Sequence, residues 1–325
     1  LNHPQIGDKN GMVDTLHKLA QIAGSFGEFD EEEELAKTCL ALSRQLGRPD
    51  SIAYALDVLG WATLCLGEYK KSEECYRESL TIFEAINSRL GIALALGGIG
   101  SVFWAIGGER LTEAAHYFEK SMLLCREIGH QHHLSSRLWY LGQVANDLEQ
   151  YDVAQRYAAE GLQIAKDIGS QVFMSYNLCC LGETACAIDE LESSWAYLID
   201  ALKIAAEAHQ LQPLHMALIH LAHLKVKVLT RVDEKQTARL RFSEDILLSQ
   251  KIESLELLQF VINHSGCWLV FKERAEKLRR QISDDLPIDM AQIAKQQQIY
   301  QSLDEAIARL LSEKFHAIQT ENVRY

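Results

Sequence analysis

Small, apolar and polar positions recur along this chain in one fixed order. A Leu/Ile-Gly pair is followed by a short polar turn and then by an aromatic residue or Leu. A small residue comes three positions later, a bulky one or Ala near the seventh, and a small-plus-apolar pair at the tenth and eleventh. One unit reads Leu59-Gly60, Gly67-Glu68, Tyr69, Ser72, Tyr76, Ser79-Leu80, and the next Ile99-Gly100, Gly107-Gly108, Leu111, Ala114, Phe118, Ser121-Met122. Two more follow with Leu141-Gly142, Tyr151, Ala154, Ala158, Gly161-Leu162 and Leu181-Gly182, Leu191, Ser194, Leu198, Ala201-Leu202. A weaker first unit carries Leu19-Ala20, Gly27-Glu28, Phe29, Ala36 and Cys39-Leu40. A sixth opens on Leu221-Ala222 and then loses the pattern. Successive Leu/Ile-Gly glycines lie 40, 42 and 40 residues apart, the length of a helix hairpin.

The order has a packing reason. Two antiparallel helices approach closely only where side chains are small, so Gly60, Gly100, Gly142 and Gly182 mark the close approach of helix A to helix B. A mid-helix glycine costs about 1 kcal/mol relative to alanine, so its regular return needs such a reason. The bulky residues, Tyr69, Tyr76, Phe83, Phe118 and Tyr151, fill the space between hairpins. No hairpin covers its own apolar stripe; its successor does, which makes stability nearest-neighbour in character. Turns are predicted at Gly67-Glu68, Gly107-Gly108, Asp147 to Gln150 and Asp189-Glu190.

The small/large code resembles the tetratricopeptide repeat, whose usual unit is roughly 34 residues. Here the extra residues extend helix B and the turn after it, as in Thr81 to Leu90 and Gln163 to Gln171. The resemblance implies an all-α fold, a right-handed superhelix (α-solenoid) of about six hairpins over residues 11–232. A degenerate repeat and capping helices are expected over 233–285, and a linker and helix over 286–325. A second resemblance lies in the C-terminal third. Val261-Ile262-Asn263-His264, Lys272 to Arg280, Asp284 to Pro287 and Leu303 to Leu311 are similar to the end of bacterial STAND regulators. These are signal-transduction ATPases with a nucleotide switch and a C-terminal tetratricopeptide sensor. The resemblance implies a ligand- or partner-sensing role, with a free-standing tetratricopeptide scaffold for protein complexes as the alternative; between Leu229 and Leu255 the chain departs from the pattern with a longer charged segment.

Composition supports helices. The four prolines stand at positions 4, 49, 213 and 287, so Ser51 to Gln212 has none, and proline is nearly excluded from helix interiors. The net charge of −13 disfavours phosphate neutralisation, and with it direct nucleic-acid binding or attraction to an anionic membrane. No apolar run reads as approaching the ~20 residues that span a bilayer. The N-terminus carries no basic-then-apolar signal pattern. It begins at Leu1 rather than Met, and we expect a segment of a longer protein. Eight cysteines without a CxxC pair suggest reduced, packed thiols and a cytoplasmic location.

Catalytic chemistry finds little support. The chain has no G-x-x-x-x-G-K-[ST] loop, and Gly97-Gly98-Ile99-Gly100 reads as close helix packing. His130, His132 and His133 read as a polar turn. His215, His220 and His223 share a helix but lack the glutamate of H-E-x-x-H. Cys179, Cys180 and Cys186 have no catalytic histidine motif beside them. The run Asp30 to Glu34 reads as a solvated helix start favoured by the helix dipole. We expect neither enzymatic activity, nor a cofactor, nor a metal.

The tetratricopeptide resemblance implies that helices A line a concave groove and places ligand positions six and three before each repeat glycine and one and four after it. These are Tyr54, Asp57, Trp61 and Leu64, then Leu94, Gly97, Ser101 and Trp104, then Ser136, Trp139, Gln143 and Asn146. The fifth unit offers Tyr176, Cys179, Glu183 and Cys186, and the sixth Met216, Ile219, His223 and Val226. Three of the five tryptophans fall in these slots in consecutive repeats, and aromatic residues are enriched where proteins bind partners. Packing between neighbouring helices A is the competing role for the same tryptophans. Tetratricopeptide co-chaperones clamp a carboxylate with Lys and Asn at such positions; here Asp57, Trp61, Gly97 and Trp139 stand instead, so that reading fails. The acidic-to-neutral aromatic groove suits a protein or peptide with apolar or basic side chains, or a small, sugar-like inducer stacked on tryptophan.

Overall fold

In the computed structural model the described residues are 9–236, 244–284 and 302–313, and side chains of 229–236 and 244–247 are not among them. Every regular element among them is helical. Helices α1 (Lys9–Ser25), α2 (Phe29–Leu46), α3 (Pro49–Cys65), α4 (Tyr69–Ala85), α5 (Arg89–Ile106), α6 (Leu111–Glu127), α7 (Gln131–Asp147) and α8 (Tyr151–Asp167) form four hairpins. Then come α9 (Gln171–Ala187), α10 (Leu191–Glu207), α11 (Leu211–Gln236), α12 (Glu244–Asn263), α13 (Leu269–Asp284) and α14 (Leu303–Ser312). The expected linker at 286–301 lies outside the described residues.

The chain divides into two compact units, Leu1–Ser170 with Trp268–Val270, and Gln171–Cys267 with Phe271–Tyr325. In the first unit each helix packs on the next, and helices A also touch in series, α1 on α3, α3 on α5 and α5 on α7. In the second, α9 and α10 form a hairpin, α11 packs on both, α12 packs on α11, and α14 lies against α10.

The turns explain the period. A left-handed residue closes nearly every connection at a spacing of 20: Gly27, Gly47, Gly67, Asn87 and Gly107, and then 129, 149, 169, 189 and 209. In almost all of them the residue after it donates its N–H five residues back, as Glu68 does to Thr63 (2.8 Å) and Gln150 to Ala145 (2.8 Å). This is the Schellman closure, which satisfies carbonyls that a helix end leaves open. The connection after α5 is different. A 3-10 turn at Gly108–Arg110 adds two residues there, which is why one repeat interval is 42.

Small residues act as the sequence pattern predicts. Tyr76 is 3% exposed, and its ring lies between the backbones of Gly60 and Gly98. A Cβ at Gly60 would stand 3.0 Å from one edge of the ring, and one at Gly98 2.2 Å from the other. Gly100 and Gly182 receive Phe118 and Leu198 in the same manner. Serines tie helices A and B together: Ser79 Oγ donates to the Ala53 carbonyl (2.9 Å), Ser121 Oγ to Ala93 (2.5 Å), and Ser135 Oγ to Gly161 (2.8 Å). All eight cysteines are buried.

Two expectations need correction. Helix α5 has 18 residues and a mean hydropathy of 1.6, so by length and composition it could cross a membrane. Its glycines and alanines had disguised it as an ordinary packing helix, and it lies packed against α3, α4, α6 and α7. The acidic start of α2 is not all solvated either. Glu32 is 3% exposed and sits against Gly24, while Glu33 is paired with Lys37 and Lys71. The missing side chain of Gly24 opens the space that Glu32 enters.

Candidate functional site

Within the first unit, helices α3, α5 and α7 pack in series and carry the residues expected at ligand positions. Tyr54, Asp57, Trp61 and Leu94 are half-buried. Trp104 and Trp139, by contrast, are 3% and 1% exposed. Their rings meet edge to face at 6.0 Å, Trp104 also meets Tyr140 at 5.5 Å, and Trp104 Nε1 donates to Asp147 Oδ2 at 2.9 Å. Gln143 and Asn146 are buried on the same helix, α7.

The aromatic slots have an occupant from the same chain. Trp268, which belongs to the first unit, meets Trp61 edge to face at 4.8 Å and lies 6.5 Å from Trp139. Leu269 covers Gly67, where a Cβ would stand 2.2 Å from its methyl carbon. The space left among Trp61, Trp104, Tyr140, Trp268 and Val270 is about 10 Å³, the room of a single water. Neither Trp268 nor Val270 carried a sequence signal, because both lie outside the repeat register.

Polar groups sit beside this aromatic cluster. Arg137 of α7 is 8% exposed, and its guanidinium lies on the backbone of α5 at Gly97, where a Cβ would come within 2.2 Å of Cζ. Its Cζ is 5.9 Å from the Tyr140 ring centre. Burial pushes the Asp57 carboxyl up to about 6, against the opposing pull of Arg137. Burial, aided by Arg137, drives His133 down to about 3, so this imidazole is neutral at physiological pH. His130 caps α7, accepting from the His133 N–H at 3.4 Å. Arg137 lies five residues before Gly142, outside the slots that the family pattern marks. Only the stacking of α7 on Gly97 reveals it.

The remaining predicted residues fall in the second unit. Tyr176 is 5% exposed on α9. Glu183 lies 3.8 Å from His220 and 3.9 Å from Arg274, and His223 is exposed on α11. His215 is buried beside His264, with ring centres 4.8 Å apart. Deeper in this unit, Lys225 is fully buried and pairs with Glu253 (2.8 Å) and Glu313 (2.9 Å), and Arg309 pairs with Glu253 (2.8 Å).

Comparison with known proteins places this geometry. Residues 14–263 match the MalT-like TPR region. No curated protein matches the sequence. Among solved structures, a Rap protein complexed with Competence and Sporulation Factor is similar at a TM-score of 0.60 and 12% identity, over 88% of this chain and 77% of that one. The apo form of RapI gives 0.55 and 14%, over 86% and 88%. A STAND protein with a tetratricopeptide repeat sensor, PH0952 from Pyrococcus horikoshii, gives 0.53 and 15%, over 86% of this chain and 43% of that one. At these identities the likeness is one of fold, a tetratricopeptide solenoid.

Proposed function

This chain belongs to the family of MalT-like TPR regions, and on that premise we propose that it is a non-catalytic binding module, the partner- or ligand-sensing region of a larger STAND-type regulator. The sensing reading rests on the C-terminal resemblance and on the fold it shares with the PH0952 sensor. The occupant is a protein, a peptide or a small inducer, held on the face of α3, α5 and α7, in the cytoplasm. Ligand binding would act by favouring one arrangement of the hairpins over another, since a ligand shifts an equilibrium only by its differential affinity.

The observation that carries the reading is the aromatic cluster of Trp61, Trp104 and Tyr140. It already holds an indole and a branched aliphatic side chain, Trp268 and Val270, which is the kind of surface that anchors peptide side chains. Next to it, Tyr54, Asp57 and Leu94 remain half-exposed, so a ligand has both apolar and polar groups to meet. A complex of one Rap protein with Competence and Sporulation Factor supports the choice of an interaction role over catalysis.

The test is a thermal-shift and tryptophan-fluorescence screen of peptides and small sugars against the wild-type chain, Trp61→Ala and Asp57→Asn. A hit that is lost in Trp61→Ala supports the assignment. A ligand whose affinity is unchanged in both variants places the binding site elsewhere and refutes it.

A further inference from the structure

Among the described residues, Arg137 is a buried cation with no counter-ion at ion-pair distance. It is more than nine-tenths buried, and its Nε is sealed from solvent without a hydrogen-bond partner among the described residues. No carboxylate among those residues lies within ion-pair distance of it. Among the described residues its cation–π contact, at 5.9 Å from Tyr140, is at the outer limit of such an interaction. An arginine keeps its charge at any physiological pH, and a buried charge left unpaired is costly.

The surroundings do not neutralise it. The ionisable groups in its field are Asp57 of α3, Tyr76 of α4, Cys125 of α6, and His132, His133 and Tyr140 of α7. Burial holds the tyrosines and the cysteine in their neutral forms and the histidines unprotonated. Among these groups Asp57 is the one anion that opposes the charge, and it does so from beyond ion-pair distance. Gly97 supplies the room: with no side chain at that point, the fork of Arg137 lies against the backbone of α5, and its field reaches Asp57, which with Tyr54 is half-exposed on α3.

We infer that Arg137 is an oxyanion-recognition point, taking a carboxylate or phosphate group of whatever occupies the face of α3, α5 and α7. Its planar fork suits the paired oxygens of either group. The inference rests on that face being the binding face. It differs from a Lys/Asn carboxylate clamp, because the cation comes from a position between the family's ligand slots. Asp57 sets the affinity, since its charge competes with the incoming anion.

The test uses the whole chain labelled with ¹⁵N-arginine, following the side-chain Nε–Hε signal that disappears in Arg137→Lys. The probes are acetate and inorganic phosphate, each against chloride at matched ionic strength. A saturable movement with either probe, and not with chloride, supports the inference; which probe acts tells a carboxylate site from a phosphate site. Asp57→Asn, which keeps the shape and removes the charge, is expected to tighten binding roughly fivefold. A signal unmoved by both probes in folded wild-type and Asp57→Asn protein overturns it, and so does a response equal to that of chloride. The two readings fail separately. A peptide or sugar lost in Trp61→Ala but held equally by Arg137→Lys leaves the binding face standing and removes the oxyanion point. Saturable anion binding at Arg137 with no ligand sensitive to Trp61→Ala does the reverse.

Discussion

Tyr76 and its two glycines allow the packing code to be tested at one ring. Replacing Gly60 or Gly98 by alanine makes the same chemical change in the middle of a helix, and in each case helix preference alone gains about 1 kcal/mol. The structure separates the two. At Gly60 the new methyl would sit 3.0 Å from the ring, a contact that a shift of a few tenths of an ångström relieves. Its cost should roughly cancel the helix gain, leaving the variant within about 1 kcal/mol of wild type. At Gly98 the methyl would lie 2.2 Å from ring carbon Cε1, and the ring cannot retreat because Gly60 backs its other edge. Overpacking of that kind costs about 1–3 kcal/mol, so Gly98→Ala should lose about 1–2 kcal/mol net. Urea unfolding followed by circular dichroism reads both values. The double variant supplies the control: with Tyr76→Leu the obstacle is gone, and Gly98→Ala should then stabilise. If Gly98→Ala is as harmless as Gly60→Ala, or costs the same in the Tyr76→Leu background, the wedge between the two helices is not what selects glycine.

Two further outcomes follow from buried charge. Burial pushes Glu32 up to about 8 from an ordinary 4.5, so between those values the folded chain holds a proton that the unfolded chain has released. Stability should therefore fall as pH rises through that window, by at most about 1.4 kcal/mol per pH unit, and level off above it; Glu32→Gln should remove this slope in unfolding midpoints measured from pH 5 to 9. Lys225→Met takes the buried cation from Glu253 and Glu313, leaving them the half-exposed Arg309, and should cost about 3–5 kcal/mol in the second unit, seen as faster amide exchange in α11 and α12. Adding Glu253→Gln should recover part of that loss, and no recovery would mean that the lysine acts through packing alone.

The fold was legible because its determinants are local and repeated. The Leu/Ile-Gly pairs, the small residues of helix B and the turn glycines each report a backbone approach that two adjacent helices settle between themselves. Of the candidate site, the sequence shows the helix positions but not their surroundings. Tyr54, Asp57 and Trp61 are half-buried in the slots the family pattern assigns, but that pattern says which way a residue faces and not what covers it. Trp104 and Trp139 are enclosed by each other, by Tyr140 and by Trp268, which arrives from the turn between α12 and α13. Such a long-range meeting leaves no periodic trace. Arg137 escaped for a related reason: its importance depends on the absence of a side chain at Gly97, one repeat earlier. Glu32 was hidden by its neighbours, since a run of acids reads as a wet surface until Gly24 is seen to admit one of them.

The left-handed closures at intervals of 20 have a consequence for how the chain tolerates changes in length. One residue added inside a helix turns everything after it in that helix by about 100°, which would carry the small positions away from their partner and bring bulky ones in their place. A residue added between helices leaves both faces aligned. The connection after α5 already accommodates two such residues in Gly108–Arg110 without disturbing Gly100 or Phe118. Peptide tags or reporter loops should therefore be accepted at that joint, while the same insertions one turn earlier, within α5, should abolish folding of the first unit.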